Sequence, residues 1–408
     1  MAEIAITNAT LVDLSDGSLH PRTTVLIADG RIRSVDQGSV TGAAARTIDA
    51  KGGFLLPGLC DAHVHVTAAT FDFAELARWS PFYVGARAAD ILDGMLMRGF
   101  TTVRDAGGAD FGLAQAVAEG VVRGPRVLFC GKALSQTGGH GDMRSRGEDG
   151  PGSCYCCAGL GRICDGVADV RRACRDEIRR GANHLKLMLS GGAASPTDRI
   201  DSTQFSIEEI RAAVEEAEAA NVYVMAHVYT ARAANRALQN GVRSIEHANL
   251  IDDATRALLR EKDAFLVPTM ITHQVAIEVG REVGLPATMI EKTWQVVEAG
   301  REAHARSHRA GVNMVFGTDL LGDMHRHQLR EFELRAAFQE PIEIWRSATT
   351  AAADLFKMSG TVGVVAPGAH ADLLVYDRNP IEDLSVTMNP DQHLKLIAKG
   401  GWVAKNAL

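Results

Sequence analysis

Gly53-Phe54-Leu55-Leu56-Pro57-Gly58-Leu59-Cys60-Asp61-Ala62-His63-Val64-His65 is the stretch on which the reading of this chain turns. It is an apolar run ending in two histidines one residue apart. Side chains alternate along a strand with period two, so His63 and His65 share a face and both can reach one metal ion. Such pairs also arise by chance in loops, and the meaning of this one depends on partners elsewhere in the chain.

The partners lie downstream, each near the end of a short apolar run. Lys186 is in Asn183-His184-Leu185-Lys186-Leu187-Met188-Leu189, His227 in Val222-Tyr223-Val224-Met225-Ala226-His227, His247 in Arg243-Ser244-Ile245-Glu246-His247, and Asp319 in Asn313-Met314-Val315-Phe316-Gly317-Thr318-Asp319. Histidine and aspartate are good metal-ligand types. Lysine is the odd member, because its ammonium is rarely buried alone and cannot bind a metal. Carboxylated by carbon dioxide, it becomes an anionic oxygen ligand able to bridge two cations.

The ordered series His63, His65, Lys186, His227, His247, Asp319 resembles the amidohydrolase superfamily, in the form with a carboxylated lysine and a binuclear metal centre. Gln136-Thr137-Gly138-Gly139-His140-Gly141-Asp142, Lys186-Leu187-Met188-Leu189-Ser190-Gly191-Gly192, His227-Val228-Tyr229-Thr230, Glu246-His247-Ala248-Asn249-Leu250-Ile251-Asp252 and Gly317-Thr318-Asp319-Leu320-Leu321 narrow the likeness. They are similar to a branch of Xaa-Pro dipeptidases, metallocarboxypeptidases and ochratoxin-hydrolysing amidases. The resemblance spans nearly the whole chain.

The 408 residues are 46% hydrophobic and 23% charged, with a net charge of −7. Nothing in this balance points to a nucleic-acid or membrane surface. The start, Met1 to Thr7, has no basic segment followed by a long apolar stretch, so neither a signal peptide nor a membrane span is expected and the protein is placed in the cytoplasm. The seven cysteines include the cluster Cys154-Tyr155-Cys156-Cys157. Its spacing fits no common zinc motif, and the odd count argues against a disulfide framework, so reduced thiols in a long loop are expected.

Both chain ends read as strands and turns, with Thr24 to Ile27, the turn pair Asp29-Gly30 and Ile32 to Val35 at one end and Ala371 to Asp377, Leu394 to Ala398 and Trp402-Val403 at the other. Neither end has enough strands for a core of its own. The two are expected to fold together as one small β-sandwich, as in the resembled superfamily. Between them, β-rich runs alternate with helical ones, the pattern of βα units. Ser206 and Glu209 make a capping box, followed by the apolar stripe Ile207, Ile210, Val214, Ala217. Eight strands are assigned to Leu59 to His65, Thr102 to Asp105, Arg126 to Cys130, His184 to Leu189, Tyr223 to His227, Ser244 to His247, Phe265 to Met270 and Met314 to Asp319. The expected fold is therefore α/β, a (β/α)8 TIM barrel over residues 57–360, with the sandwich built from 1–56 and 361–408. The insert from Ser135 to Gly166 is too long for a connector and is expected over the barrel mouth.

The resemblance implies that His63, His65 and Asp319 hold one divalent ion, and that carboxylated Lys186 bridges it to a second held by His227 and His247. Zinc is the expected metal. Asp319 has the chemistry to take a proton from water during attack and deliver it to the leaving amine. His140, framed by glycines, is implied to contact the substrate carbonyl or developing oxyanion. Tyr229 shares a strand face with His227 and can hydrogen-bond the substrate. Arg144 and Arg146 are candidates for a terminal carboxylate. The reading is hydrolysis of the C-terminal amide of dipeptides or N-acyl amino acids, with proline or an aromatic residue leaving, and ochratoxin A among the substrates to consider. A ring opener of the imidazolonepropionase kind, a lactonase, or a catalytically silent scaffold stabilised by metal are the competing readings. The resemblance also implies a homo-oligomer, up to an octamer.

Overall fold

A computed structural model describes residues 3–38, 45–148, 157–195, 197–282, 285 and 287–408. Eight parallel strands surround its centre: Leu59–Val64, Phe100–Asp105, Arg126–Leu128, Leu185–Met188, Val224–Thr230, Ser244–Leu250, Phe265–Val267 and Asn313–Met314. Backbone hydrogen bonds close them into a ring. Asn183 N–H donates to Phe129 O at 2.8 Å between the third and fourth, while Ala62 N–H to Phe316 O at 2.8 Å and Asp319 N–H to His63 O at 2.7 Å join the first to the eighth. Asp61 strengthens that last seam, because its buried carboxylate accepts from the His63 and Thr318 backbone N–H groups and from the Thr318 hydroxyl. The result is the (β/α)8 barrel expected from the sequence.

Three expectations are corrected in detail. The seventh run stops at Val267, and Met270 instead opens a helix, Met270–Val279. Thr269 between them has a left-handed φ of 49° and is the N-cap from which that helix starts. In the eighth run only Asn313 and Met314 pair in the ladder; the residues after them are carried by hydrogen bonds to the first strand and by Phe316 N–H to Ser347 O at 3.0 Å. In the helix Ile207–Ala219 the capping box of Ser206 and Glu209 is present, but Ile207 is exposed, and the buried stripe is Ile210, Ala213, Val214 and Ala217. Ile207 is the first helical residue, where the chain is still turning onto the barrel.

Both chain ends meet in one mixed sheet of eight strands. Phe54–Pro57 pairs parallel to Ile4–Val12 and antiparallel to Leu373–Tyr376, and so links the two ends. Residue alternation then divides the sheet between two cores. Leu55, Leu373, Val375 and Leu396 join Ile6, Val25 and Ile32 in the sheet's own core. Their neighbours Leu56, Leu374, Tyr376 and Ile397 pack with Leu92, Leu96 and Trp345 of the barrel helices. The sheet closes over its own core where Arg31 bridges to His370 and Ile32 N–H donates to Ala369 O.

Trp345 anchors the contact between sheet and barrel. It is fully buried, its ring meets Tyr376 edge-on at 6.0 Å, and its indole N–H donates to Thr387 Oγ1 at 3.2 Å. Trp345→Ala is expected to destabilise the fold by about 3 to 5 kcal/mol, the range for truncating a buried tryptophan. Urea titration measures this, and a loss below about 1 kcal/mol would show that the contact carries little.

Candidate metal centre

The C-terminal ends of the strands point His63, His65, Lys186, His227, His247 and Asp319 into one cavity of about 470 Å³. Two of the histidines are oriented by their outer nitrogens. His63 Nδ1 lies 2.7 Å from Glu246 Oε2, and His65 Nδ1 lies 2.9 Å from Gly107 O. Both Nε2 atoms are thereby left facing Asp319 Oδ1, at 3.4 and 3.3 Å. Hydrogen-bonded outer nitrogens are the usual way a protein fixes histidine ligands. The three ligand atoms lie within 4.8 Å of one another. Two imidazole nitrogens and a carboxylate oxygen fit a divalent transition metal, and His63, His65 and Asp319 form a metal-ion site typical of amidohydrolases.

Charge in this centre is set by burial and its compensation. Burial pushes the Asp319 carboxyl upward, but the charge of His63 and hydrogen bonds from both histidines hold it well below the usual carboxylate range. Burial acts the same way on Glu246, and the Arg104 guanidinium, with Nη2 2.9 Å from Oε1, brings that carboxyl down to about 2. Burial lowers the Lys186 ammonium below its ordinary value, opposed by the charges of Glu246 and Asp319.

His247 Nδ1 is held by Thr269 Oγ1 at 2.7 Å and His227 Nε2 by Gly191 O at 3.2 Å. The inner edges, Nε2 of His247 and Nδ1 of His227, belong to rings 4.7 Å apart, and the His247 ring is 5.1 Å from that of His63. His247, Thr269 and Asp319 have φ of 71°, 49° and 54°. Left-handed backbone at residues other than glycine costs about 1 to 3 kcal/mol each and clusters at functional sites.

The described part of the insert reaches the mouth: His140, Asp142, Met143, Leu160 and Ile163 line the cavity. His140 stacks on His227 with centroids 4.1 Å apart, and its Nδ1 is 2.8 Å from Ser195 Oγ. Tyr229 lines the cavity beside His227, and its hydroxyl lies 2.7 Å from His273 Nε2. Burial pushes its phenol above the usual range, so it stays neutral. Arg144 lines the cavity with its guanidinium laid against Asp142, at 2.8 and 2.6 Å. Arg146 is exposed and is not among the lining residues. Cys154 and Cys156 fall outside the described residues, and Cys60, Cys130, Cys164 and Cys174 are buried free thiols.

Sequence reasoning missed Glu246, Arg104 and His273. Adjacent strand residues point to opposite faces, so a sequence reader who aims His247 inward aims Glu246 outward. The left-handed turn at His247 breaks that alternation and lets both face the centre. His273 belongs to the helix Met270–Val279, placed after an apolar run that reads as unbroken strand.

Comparison with known proteins agrees with this geometry. Residues 54–403 match the family model described as amidohydrolase family. Ochratoxinase of Aspergillus niger is 32% identical over 368 residues, 86% of this chain and 75% of that one. A prolidase crystallised with N-methylphosphonate-L-proline is 46% identical with a TM-score of 0.96, covering 99% of this chain and 100% of the other. A Xaa-Pro dipeptidase with methionine bound in its active site is 26% identical with a TM-score of 0.89, covering 99% and 100%. With a family match over most of its length and a histidine–aspartate metal site at the barrel mouth, the chain belongs to the amidohydrolase superfamily, in its prolidase and ochratoxinase branch, and is a hydrolase acting on C–N bonds.

Proposed function

We propose that this protein is a binuclear metal-dependent amidohydrolase that cleaves the C-terminal amide bond of dipeptides or N-acyl amino acids. The observation that carries the reading is the convergence of six ligand-type side chains, His140 and Tyr229 on one cavity, in a chain 46% identical to a prolidase. His63, His65 and Asp319 would hold one ion and His227 and His247 a second, and Lys186 as its carbamate would supply an anionic oxygen ligand to both. A neutral amine is what reacts with carbon dioxide, and the burial that lowers the Lys186 ammonium favours it. Bound there, zinc ions supply the positive charge that acidifies water and polarises a carbonyl. Asp319, ionised and facing the same space, accepts the proton released on attack and passes it to the departing amine.

A volume of about 470 Å³ suits a dipeptide or acylated amino acid. Its wall of Phe71, Phe73, Leu160, Leu321 and Met324 supports an apolar acyl side, including the aromatic acyl group of ochratoxin A. Tyr229, a neutral phenol, and Arg144 are the groups nearest in chemistry to a substrate carboxylate. Arg146, exposed outside the cavity lining, is not used in this reading.

The purified protein should carry close to two divalent ions per chain and lose activity to strong chelators. Elemental analysis showing no transition metal in fully active protein would exclude the mechanism. Lys186→Ala should lose most bound metal, and a small carboxylic acid should restore part of it; unchanged metal content would make the lysine structural.

Asp319→Asn retains a weak oxygen ligand but cannot shuttle a proton, so turnover should fall by about a hundredfold or more with KM much less affected. Near-normal turnover would refute the assignment.

Replacing a substrate's terminal carboxylate by its amide leaves buried polar contacts unpaired and should lower kcat/KM by about a hundredfold. The comparison uses an Xaa-Pro dipeptide and its amide, on wild type and on Tyr229→Phe. Equal rates on both substrates would favour a general amidase or lactonase, while an unchanged preference in Tyr229→Phe would move carboxylate recognition to Arg144.

A further inference from the structure

His140 is tied to a carboxylate by two separate hydrogen-bonded arms. Asp198, whose side chain is 3% exposed, accepts at Oδ1 from the Ser195 hydroxyl, and Ser195 Oγ in turn lies 2.8 Å from His140 Nδ1. Asp198 Oδ2 accepts from the Gln204 amide N–H at 3.0 Å, and the oxygen of that same amide accepts the His140 backbone N–H at 2.9 Å. Gly192 N–H also donates to Oδ2, at 3.2 Å. One arm therefore holds the imidazole and the other holds the backbone that carries it. The loop bearing Asp198 is itself pinned by Lys292 of the helix Ala287–Arg309, whose ammonium donates to the carbonyls of Gly192, Ser195 and Asp198 at 3.4, 3.2 and 2.8 Å. Gly192 allows the approach, since a Cβ there would fall within the His140 ring.

The direction of these bonds follows from the donors available. A carboxylate with three donors aimed at it is an acceptor, and a hydroxyl has one proton. Ser195 gives that proton to Asp198 and accepts from His140 Nδ1, so the bond fixes the ring by one edge while the ring lines the cavity.

We infer that Ser195, Asp198 and Gln204 are positioning residues that hold His140 by its Nδ1 edge and by its backbone, so that the ring is presented to the substrate in the cavity. The inference rests on the proposed reading only in taking His140 to face the substrate.

A double-mutant cycle tests it on the metal-loaded enzyme. Ser195→Ala should lower kcat/KM by about tenfold in the wild-type background and by less than about twofold in a His140→Ala background, because residues that act through one another are not additive. Ser195→Thr, which keeps the hydroxyl, should restore most of the loss. Equal losses in both backgrounds, or a fall in Tm with no rescue by threonine, would overturn the inference in favour of a purely structural loop. A crystal structure of Ser195→Ala supplies an arm independent of turnover: a turned His140 ring supports the inference and an unmoved ring overturns it. If the wild-type protein hydrolyses no amide of the classes above, the functional reading fails while this structural arm still decides the role of Ser195.

Discussion

Glu246 is the interaction on which the centre of this protein depends. Its carboxylate is wholly buried inside the barrel, where an isolated charge would be prohibitively costly. Arg104, equally buried, balances it, and that guanidinium also donates to Ala62 O at 2.6 Å, on the strand that carries His63. The other face of the carboxylate takes His63 Nδ1. One charge pair thus joins the first, second and sixth strands and turns His63 toward Asp319. Such pairs are weak sources of stability, because desolvation offsets most of the attraction. Their effect here is on orientation: the ring nitrogen nearest the cavity is left facing Asp319 Oδ1.

The same division between holding and acting recurs around the mouth. Asp61 ties His63 and Thr318 together, Thr269 holds His247, Gly191 holds His227, and Asp198 holds His140 through two arms. His63, His65, His227, His247 and His140 each have one ring nitrogen committed to a partner behind them. The left-handed residues Thr269 and Asp319 stand past the ends of their strands and His247 within its own, and His247 and Asp319 line the cavity. At Asp319 the backbone is held in this conformation by the hydrogen bond of its N–H to His63 O.

The sheet formed by the chain ends lies away from this chemistry. Its contribution is mechanical: Leu56, Leu374 and Ile397 cover barrel helices that would otherwise expose Leu92 and Leu96, and strand Phe54–Pro57 feeds directly into the strand that carries His63.

The barrel and most of the site were legible in the sequence, because they are written in local pattern. Apolar runs ending in His63, His65, Lys186, His227, His247 and Asp319 follow from strand periodicity and the chemistry of ligands, and the capping box at Ser206 is a four-residue signal. What the sequence could not show is whatever depends on the angle at which one segment meets another. Thr269 ends a strand that composition would continue, Glu246 and His247 face the same way against the rule of alternation, and Arg144 turns to Asp142 in its own loop. Arg104, Glu246 and His273 acquire their roles from neighbours tens to more than a hundred residues distant. Only closure of the barrel sets those distances, since a hydrogen bond or a buried charge pair is decided within a few tenths of an ångström, a resolution that a one-dimensional pattern does not contain.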